Sequence, residues 1–374
     1  MAPGRCGGKL VSKHPPFSQH WGPSEQPDQL RIDKRPLRFI SFQEYLFGAF
    51  TALAAVPFLS SRLLVSPATS RVRPAPADFF GVAISNSAQH GDQLVDLVAE
   101  LGTRRLLMRV PVWERSILDR HRAFADRFAS CDLVISVVQD RGSVCNGRQW
   151  REDLSRIFST FSGRATYFQL PMAPNRSKWG CVHMGEALDL MDAAEEVRRD
   201  FPNVRLVGPG IIDFEPMTYL RGLVNMRHFR LDAIGAMLYV DRRGSPSNTQ
   251  LGIFDLAGKL KLWKAIAAIS GRCRQRGETP LWITEFNWPL HGTKSWSPTS
   301  SDVQVSEEDA AQYLLEYARI AYQSGLVERL YWWQLVHPGF GLVDSREATL
   351  RRRPAFHIAR QLISGELSLN EPAS

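Results

Sequence analysis

Paired cysteines are missing from this chain. Its five cysteines, Cys6, Cys131, Cys145, Cys181 and Cys273, are odd in number, and no two stand in a Cys-x-x-Cys spacing. That speaks against a disulfide framework and against a zinc site. Reduced, mostly buried thiols of a cytosolic protein are the expectation. No Walker loop, zinc-finger spacing or RNA-binding signature occurs, so no nucleic-acid partner is expected. Gly81-Val82-Ala83 opens no glycine-rich dinucleotide fingerprint, which counts against a doubly wound sheet, the main competitor for the fold. No uncharged apolar run reaches the ~20 residues that span a bilayer.

What is present is ordinary globular material with a basic balance. Of 374 residues, 44% are hydrophobic and 22% charged, and the formal net charge is +8 with a pI near 9.4. A core of full size is within reach, as one large barrel-like domain with an extension or as two medium domains. The positive balance favours phosphate, lipid headgroups or an anionic polysaccharide.

Residues 1–44 are rich in Pro, Gly, Ser, Lys and Arg and read as a flexible basic tail. Residues 45–66 carry the apolar run Tyr45 to Leu59, interrupted by Pro57 and followed by Arg62. The run begins too late for a usual signal peptide and lacks a clear small-residue cleavage site. Three readings stay open: an interfacial anchor with basic flanks, a re-entrant membrane segment, or a helix packed on the main domain. Residues 67–78, with Pro67, Pro74 and Pro76, read as a linker, and residues 367–374 as a C-terminal tail.

From Phe79 onward short apolar runs alternate with helical stretches. Strands are expected at Phe80–Ser85, Arg105–Val110, Leu133–Val138, Tyr167–Pro171, Arg205–Gly208, Ala233–Val240, Leu281–Glu285 and Leu330–Leu335. Helical periodicity falls between them, as in Ser306–Ser324, where Ser306 and Asp309 offer a cap and Gly325 a stop. Eight β-then-α units over residues 79–366 indicate a single (β/α)8 TIM barrel in the α/β class.

The richest stretch is Thr279-Pro280-Leu281-Trp282-Ile283-Thr284-Glu285-Phe286-Asn287-Trp288-Pro289. Strict alternation puts Leu281, Ile283 and Glu285 on one face. Turned inward, that face brings Glu285 to the C-terminal mouth of a barrel, where such enzymes keep their chemistry. A carboxylate among indoles suits a sugar site, since apolar rings stack on pyranose faces while the acid attends to the bond. The plainer reading is a buried strand whose Glu meets water at its end. Polar and aromatic groups also follow the other strands, as in Met108-Arg109-Val110, Pro174-Asn175-Arg176-Ser177-Lys178-Trp179-Gly180, Tyr239-Val240-Asp241-Arg242-Arg243 and Tyr331-Trp332-Trp333-Gln334. Together they point to a ligand site at this end. His183 and His337 lie near it, without metal-ligand spacing to any other histidine.

These motifs, in this order, resemble those of clan A glycoside hydrolases, and more closely those of a bacterial glycosidase-like family associated with surface polysaccharides. The resemblance covers residues 79–366. It implies that Glu285 matches the strand-seven nucleophile, Arg109 the arginine that orients it, Tyr239 the tyrosine that hydrogen-bonds it, and Trp333 the floor of the sugar subsite. Asn175, Arg176, Lys178 and Trp179 match the loop after the acid/base. Asp241, after strand six, joins the candidate substrate-binding residues. No metal and no cofactor is implied.

One departure matters. The family's Asn-Glu pair at the end of strand four, whose Glu is the general acid/base, aligns here with Met172-Ala173, and Met237 stands where members often carry histidine. Losing general acid–base help typically costs about 10²–10⁴ in rate. Asp241, Glu215, Asp213, Glu186, Asp140 and Glu114 lie near strand ends as substitutes. Alternatively the substrate brings its own acid or a good leaving group such as phosphate, with Arg176, Lys178, Arg242 and Arg243 suiting an anionic partner. The expectation is a glycosidase-like protein acting on or binding a bacterial cell-surface oligosaccharide or polysaccharide. A non-catalytic glycan-binding or assembly protein and a retaining transglycosylase are its rivals. It is expected in the cytoplasm, with peripheral attachment to the inner membrane face through residues 45–65 as the open question.

Overall fold

A computed structural model describes residues 38–64, 73–86, 91–274, 280–293, 296–297 and 301–372. Residues 1–37 of the expected tail, 65–72 of the apolar segment and linker, Cys6, Thr279 and the last two residues lie outside them.

Eight parallel strands close into a barrel in sequence order: β1 (Phe80–Ile84), β2 (Arg105–Pro111), β3 (Asp132–Val138), β4 (Tyr167–Gln169), β5 (Arg205–Ile212), β6 (Ala233–Met237), β7 (Leu281–Phe286) and β8 (Val327–Trp332). Every expected strand is present. Two strands run further or start earlier than their apolar residues suggest: β5 continues through Pro209 to Ile212, and β8 begins at Val327.

The helices are α1 (Arg38–Leu64), α2 (Pro76–Phe79), α3 (Gly91–Leu101), α4 (Leu118–Asp126), α5 (Arg141–Cys145), α6 (Gly147–Thr160), α7 (Met184–Arg198), α8 (Pro216–Leu223), α9 (Leu256–Ser270), α10 (Glu307–Gln323) and α11 (Pro354–Ser364). From α3 on they follow the strands in turn and form the outer layer, as right-handed βα units require. The signals read in the sequence set α10 directly. Ser306 Oγ accepts from the Asp309 N–H at 2.9 Å, and Gly325, at φ 64°, stands just past its end.

The barrel interior holds one residue or more from each strand: Ala83, Leu107, Val134, Tyr167, Val207, Ala233, Trp282 and Tyr331 pack together. The alternate residues, among them Met108, Ile135, Leu281, Ile283 and Trp332, pack outward against the helices. This corrects the face assigned to β7. Leu281 and Ile283 point out, and Trp282 and Thr284 point in; Thr284 Oγ1 accepts from Gln169 of β4 at 2.7 Å. Glu285 still reaches the interior, because the register of β7 against both neighbours slips between Ile283 and Phe286. The extra residue of such a bulge brings two successive side chains to one side.

At the chain's start, α1 begins seven residues before the apolar run. Pro36 is the last breaker ahead of it. The helix continues through Pro57 and packs on α8 and α9. Beyond α11, residues 367–372 are held against α10. Arg319 donates to the Ser368 carbonyl at 3.1 Å, Gln323 to the Leu369 carbonyl at 2.9 Å, and Leu369 is buried.

Candidate active site

Glu285 sits at the C-terminal mouth between two donors. Arg109 Nη2, from β2 across the barrel, and the Tyr239 hydroxyl, two residues past β6, each donate to one of its carboxylate oxygens. Alternation along β2 aims Arg109 inward with Leu107. The Arg109 guanidinium also lies over the Trp333 ring, 3.6 Å from its centroid, and 5.3 Å from that of Trp179. All five side chains are nearly buried.

The backbone around them is braced. Lys259 Nζ donates to the Tyr239 carbonyl at 3.2 Å, and the Tyr317 hydroxyl to the Leu238 carbonyl at 2.7 Å. Trp333 N–H donates to the Phe286 carbonyl at 3.1 Å, and Asn287 Nδ2 to the Trp333 carbonyl at 2.7 Å. Gln139 clamps the loop after β4: its Nε2 donates to the carbonyls of Met172 and Trp179, at 2.6 and 2.9 Å, and its Oε1 accepts the Met172 N–H at 2.9 Å. Gly180 closes that loop at φ 99°, where a Cβ would come within 2.7 Å of the Asp140 backbone. Sequence reasoning assigned no role to Gln139 or Asn287. The second was accessible, since Glu285 and Asn287 are two apart in an extended segment.

The position of the missing acid is apolar. Met172, Ala173, Trp179, Met237 and Val138 pack with Tyr239, and Trp113 and Ile212 close the group. Most of the six candidate substitutes are bound elsewhere. Glu114 pairs with His121 at 2.6 Å, Asp140 caps α5 through the Ser143 N–H at 2.7 Å, and Glu186 pairs with Arg141 at 2.8 Å. Asp213 and Glu215 grip Arg176 at 2.7 and 2.6 Å. Asp241 starts a short turn, half-exposed, and its charge acts on Lys259.

The remaining candidates divide in two. Asn175 is spent on the fold: it donates to the Ile212 carbonyl at 2.8 Å and to Glu215 at 2.9 Å, and accepts the Ile212 N–H at 3.0 Å. Lys178 belongs with Glu285. Its Nζ lies 5.5 Å from the Trp179 ring centroid. Burial, and then the neighbouring Arg109 charge, push its ammonium below the usual lysine range, with Glu285 pulling the other way. Arg243 stacks on the Tyr239 ring, 3.0 Å from its centroid, and donates to Asn287 Oδ1 at 3.1 Å. Burial, and then the Glu285 charge, push the Tyr239 phenol well above its ordinary 10, so it stays a donor through the neutral range. The mouth thus gathers three cations, Arg109, Lys178 and Arg243, about one carboxylate. Among the described residues no cluster of His, Cys, Asp or Glu is placed to hold a metal, and Cys131 and Cys181 are buried thiols.

No protein-family model matches the chain, and no curated protein matches it in sequence. Solved structures share its fold. A family 39 glycoside hydrolase from Bacteroides cellulosilyticus WH2 superposes with a TM-score of 0.59 at 15% identity, over 80% of this chain and 65% of that one. The chain therefore spans just under two thirds of that neighbour's length. An alpha-L-arabinofuranosidase from Thermotoga maritima gives 0.59 at 12% identity, over 78% and 71% of the two chains. A beta-glucosidase from Thermotoga maritima gives 0.56 at 11%, over 76% and 98%. What the chain shares with these enzymes is the closed (β/α)8 barrel.

Proposed function

We propose that the barrel mouth recognises a saccharide carrying negative charge, as a glycosidase-like site that lacks its proton donor. The carrying observation is Glu285 held by Arg109 and Tyr239, with Arg109 lying over Trp333 and a packed apolar group where a second carboxyl would be needed. In this reading Trp179 and the face of Trp333 turned away from Arg109 offer ring surface to the sugar. Arg109 and Tyr239 fix the direction of the Glu285 carboxylate, and Lys178 and Arg243 attract the anionic group.

Attack by Glu285 on the anomeric carbon forms a bond there as the bond to the leaving oxygen breaks. With no acid opposite, that oxygen must leave as an anion. An alkoxide does so poorly, whereas a phosphate or an aryloxide does so readily. The site therefore binds ordinary glycans and cleaves only those with a good leaving group. Retention of the glycan without cleavage is the second reading, favoured by the packing of Met172 and Met237 against Ala173.

We assign the ligand to bacterial cell-surface oligosaccharide or polysaccharide, met in the cytoplasm at a membrane that residues 45–65 contact. Calorimetric titration with carboxylate-bearing and neutral oligosaccharides tests the reading. Binding that Trp333→Ala removes supports it, and no binding across both sets counts against it.

A further inference from the structure

The outer face of α1 is the largest feature the barrel mouth leaves unexplained. Phe42, Phe47, Phe50, Leu53 and Phe58 are all more than half exposed, Phe50 and Leu53 at 72% and 74%. Scattered apolar residues on a surface are normal, but a file of them along one helix is not. The opposite face is built to dock. Gly48 and Ala55 are buried, Ala52 packs with them, and Glu44 accepts Arg221 Nε and Nη2 at 2.9 and 3.1 Å. Gly48 lies beside Met217 of α8, itself 48% exposed, so the apolar surface continues onto the barrel.

We infer that α1 lies in the plane of an anionic bilayer surface, with its apolar face in the lipid and its small-residue face on α8 and α9. This rests on the proposal that the protein works at a membrane, and it fixes how. Three observations favour lipid over a protein partner. Along most of the exposed face the hydroxyls are satisfied within the helix: Thr51, Ser60 and Ser61 donate to the carbonyls of Phe47, Val56 and Phe58, and the exposed Gln43 amide stands in the first turns, at headgroup level. These hydroxyls demand nothing from the covering medium, as hydrocarbon requires. The one carboxylate of the helix, Glu44, is turned away and neutralised. The charges at its two ends, Arg38 and Arg62, are positive, and residues 1–37 add six Lys and Arg against three Asp and Glu. That pattern complements anionic headgroups.

By length and composition the stretch Phe42–Ser61 is also able to cross a bilayer. Crossing would strip Glu44 from Arg221 and draw its carboxylate into hydrocarbon, and would break the packing on α8 and α9. The in-plane arrangement keeps both.

Flotation of the full chain with phosphatidylcholine vesicles, with and without phosphatidylglycerol, tests this. The wild type floats with the anionic vesicles. Phe50→Asp combined with Leu53→Asp lowers the bound fraction at least tenfold, while its circular dichroism and saccharide binding match the wild type. A wild type that ignores anionic vesicles overturns the inference, and if it still binds saccharide the site reading stands. A double variant that only converts a lipid-free dimer to monomer also overturns it, in favour of a second copy. To fix the geometry, a nitrobenzoxadiazole dye is placed at Phe42→Cys or Phe58→Cys, with Cys6, Cys145 and Cys273 replaced by serine. Dithionite outside the vesicle quenches both positions for an in-plane helix, because both face lipid within the outer leaflet. Quenching at one position alone means a crossing helix and contradicts the arrangement.

Discussion

The Arg109 guanidinium lies on the Trp333 ring while one of its N–H groups is hydrogen-bonded to Glu285. One side chain from β2 thus links the carboxylate from β7 to the indole that follows β8. The mouth is a single unit, and its parts should respond to mutation together.

Arg109→Met removes the cation from a nearly buried carboxylate. Breaking such a pair from one side costs about 3–5 kcal/mol, because the partner charge is left uncompensated. Urea unfolding of Arg109→Met should show a loss of that order. Arg109→Met with Glu285→Gln should lose clearly less than the sum of the two single changes. Additive losses would mean that the pair is not coupled.

Trp332 and Trp333 are adjacent in sequence and opposite in role. Trp332 packs outward with Phe286 and Trp288, and Trp333 inward on Arg109. Trp332→Ala should destabilise the protein by about 3–5 kcal/mol and leave saccharide affinity unchanged in the folded fraction. Trp333→Ala should weaken binding as well. Calorimetry beside thermal unfolding separates the two, and equal effects on affinity would be the wrong result.

Lys178→Met should weaken a carboxylate-bearing oligosaccharide about tenfold or more, the worth of one hydrogen bond to a charged group. Its neutral counterpart should bind as before. Affinity for the charged sugar should also fall with added salt in the wild type and less steeply in the variant. Equal loss for both sugars would assign Lys178 to structure.

His337 is stacked on Phe340, 3.8 Å between ring centroids, and its Nδ1 accepts the Gly339 N–H at 2.9 Å. Burial, and then the charge of Arg353, lower its pKa from 6.5 to about 3. The unfolded chain therefore binds a proton before the folded one does. The stabilisation is complete above pH 6.5 and is lost as pH falls from there towards 3. Over the whole window the loss is on the order of 5 kcal/mol. A His337→Asn variant should show a flatter stability profile through that window in urea unfolding. A slope equal to that of the wild type would contradict the assignment.

Much of the architecture was legible because it depends on local pattern. Eight apolar runs and the Ser306 cap are readable from neighbours in sequence, and both appear where expected. The face of β7 was not legible. Alternation reaches Glu285 by counting from Leu281, yet Leu281 and Ile283 face the helices, and only a slip in register brings Glu285 inward. A bulge is set by the pairing of neighbouring strands, which no single segment carries. The same holds for Asn175, whose partners, the last residue of β5 and Glu215 on the loop after it, lie 37 and 40 residues away. The absence of an acid at Ala173 was plain in the sequence; that methionines fill the space needed the fold.

The most direct measurement compares leaving groups. The wild type should release 2,4-dinitrophenolate from a glycoside of a sugar it binds. The matching 2-fluoro sugar should then leave a covalent mass on the peptide containing Glu285, and the methyl glycoside of the same sugar should remain intact. Rapid hydrolysis of the methyl glycoside would reveal a working proton donor at the mouth and contradict the account.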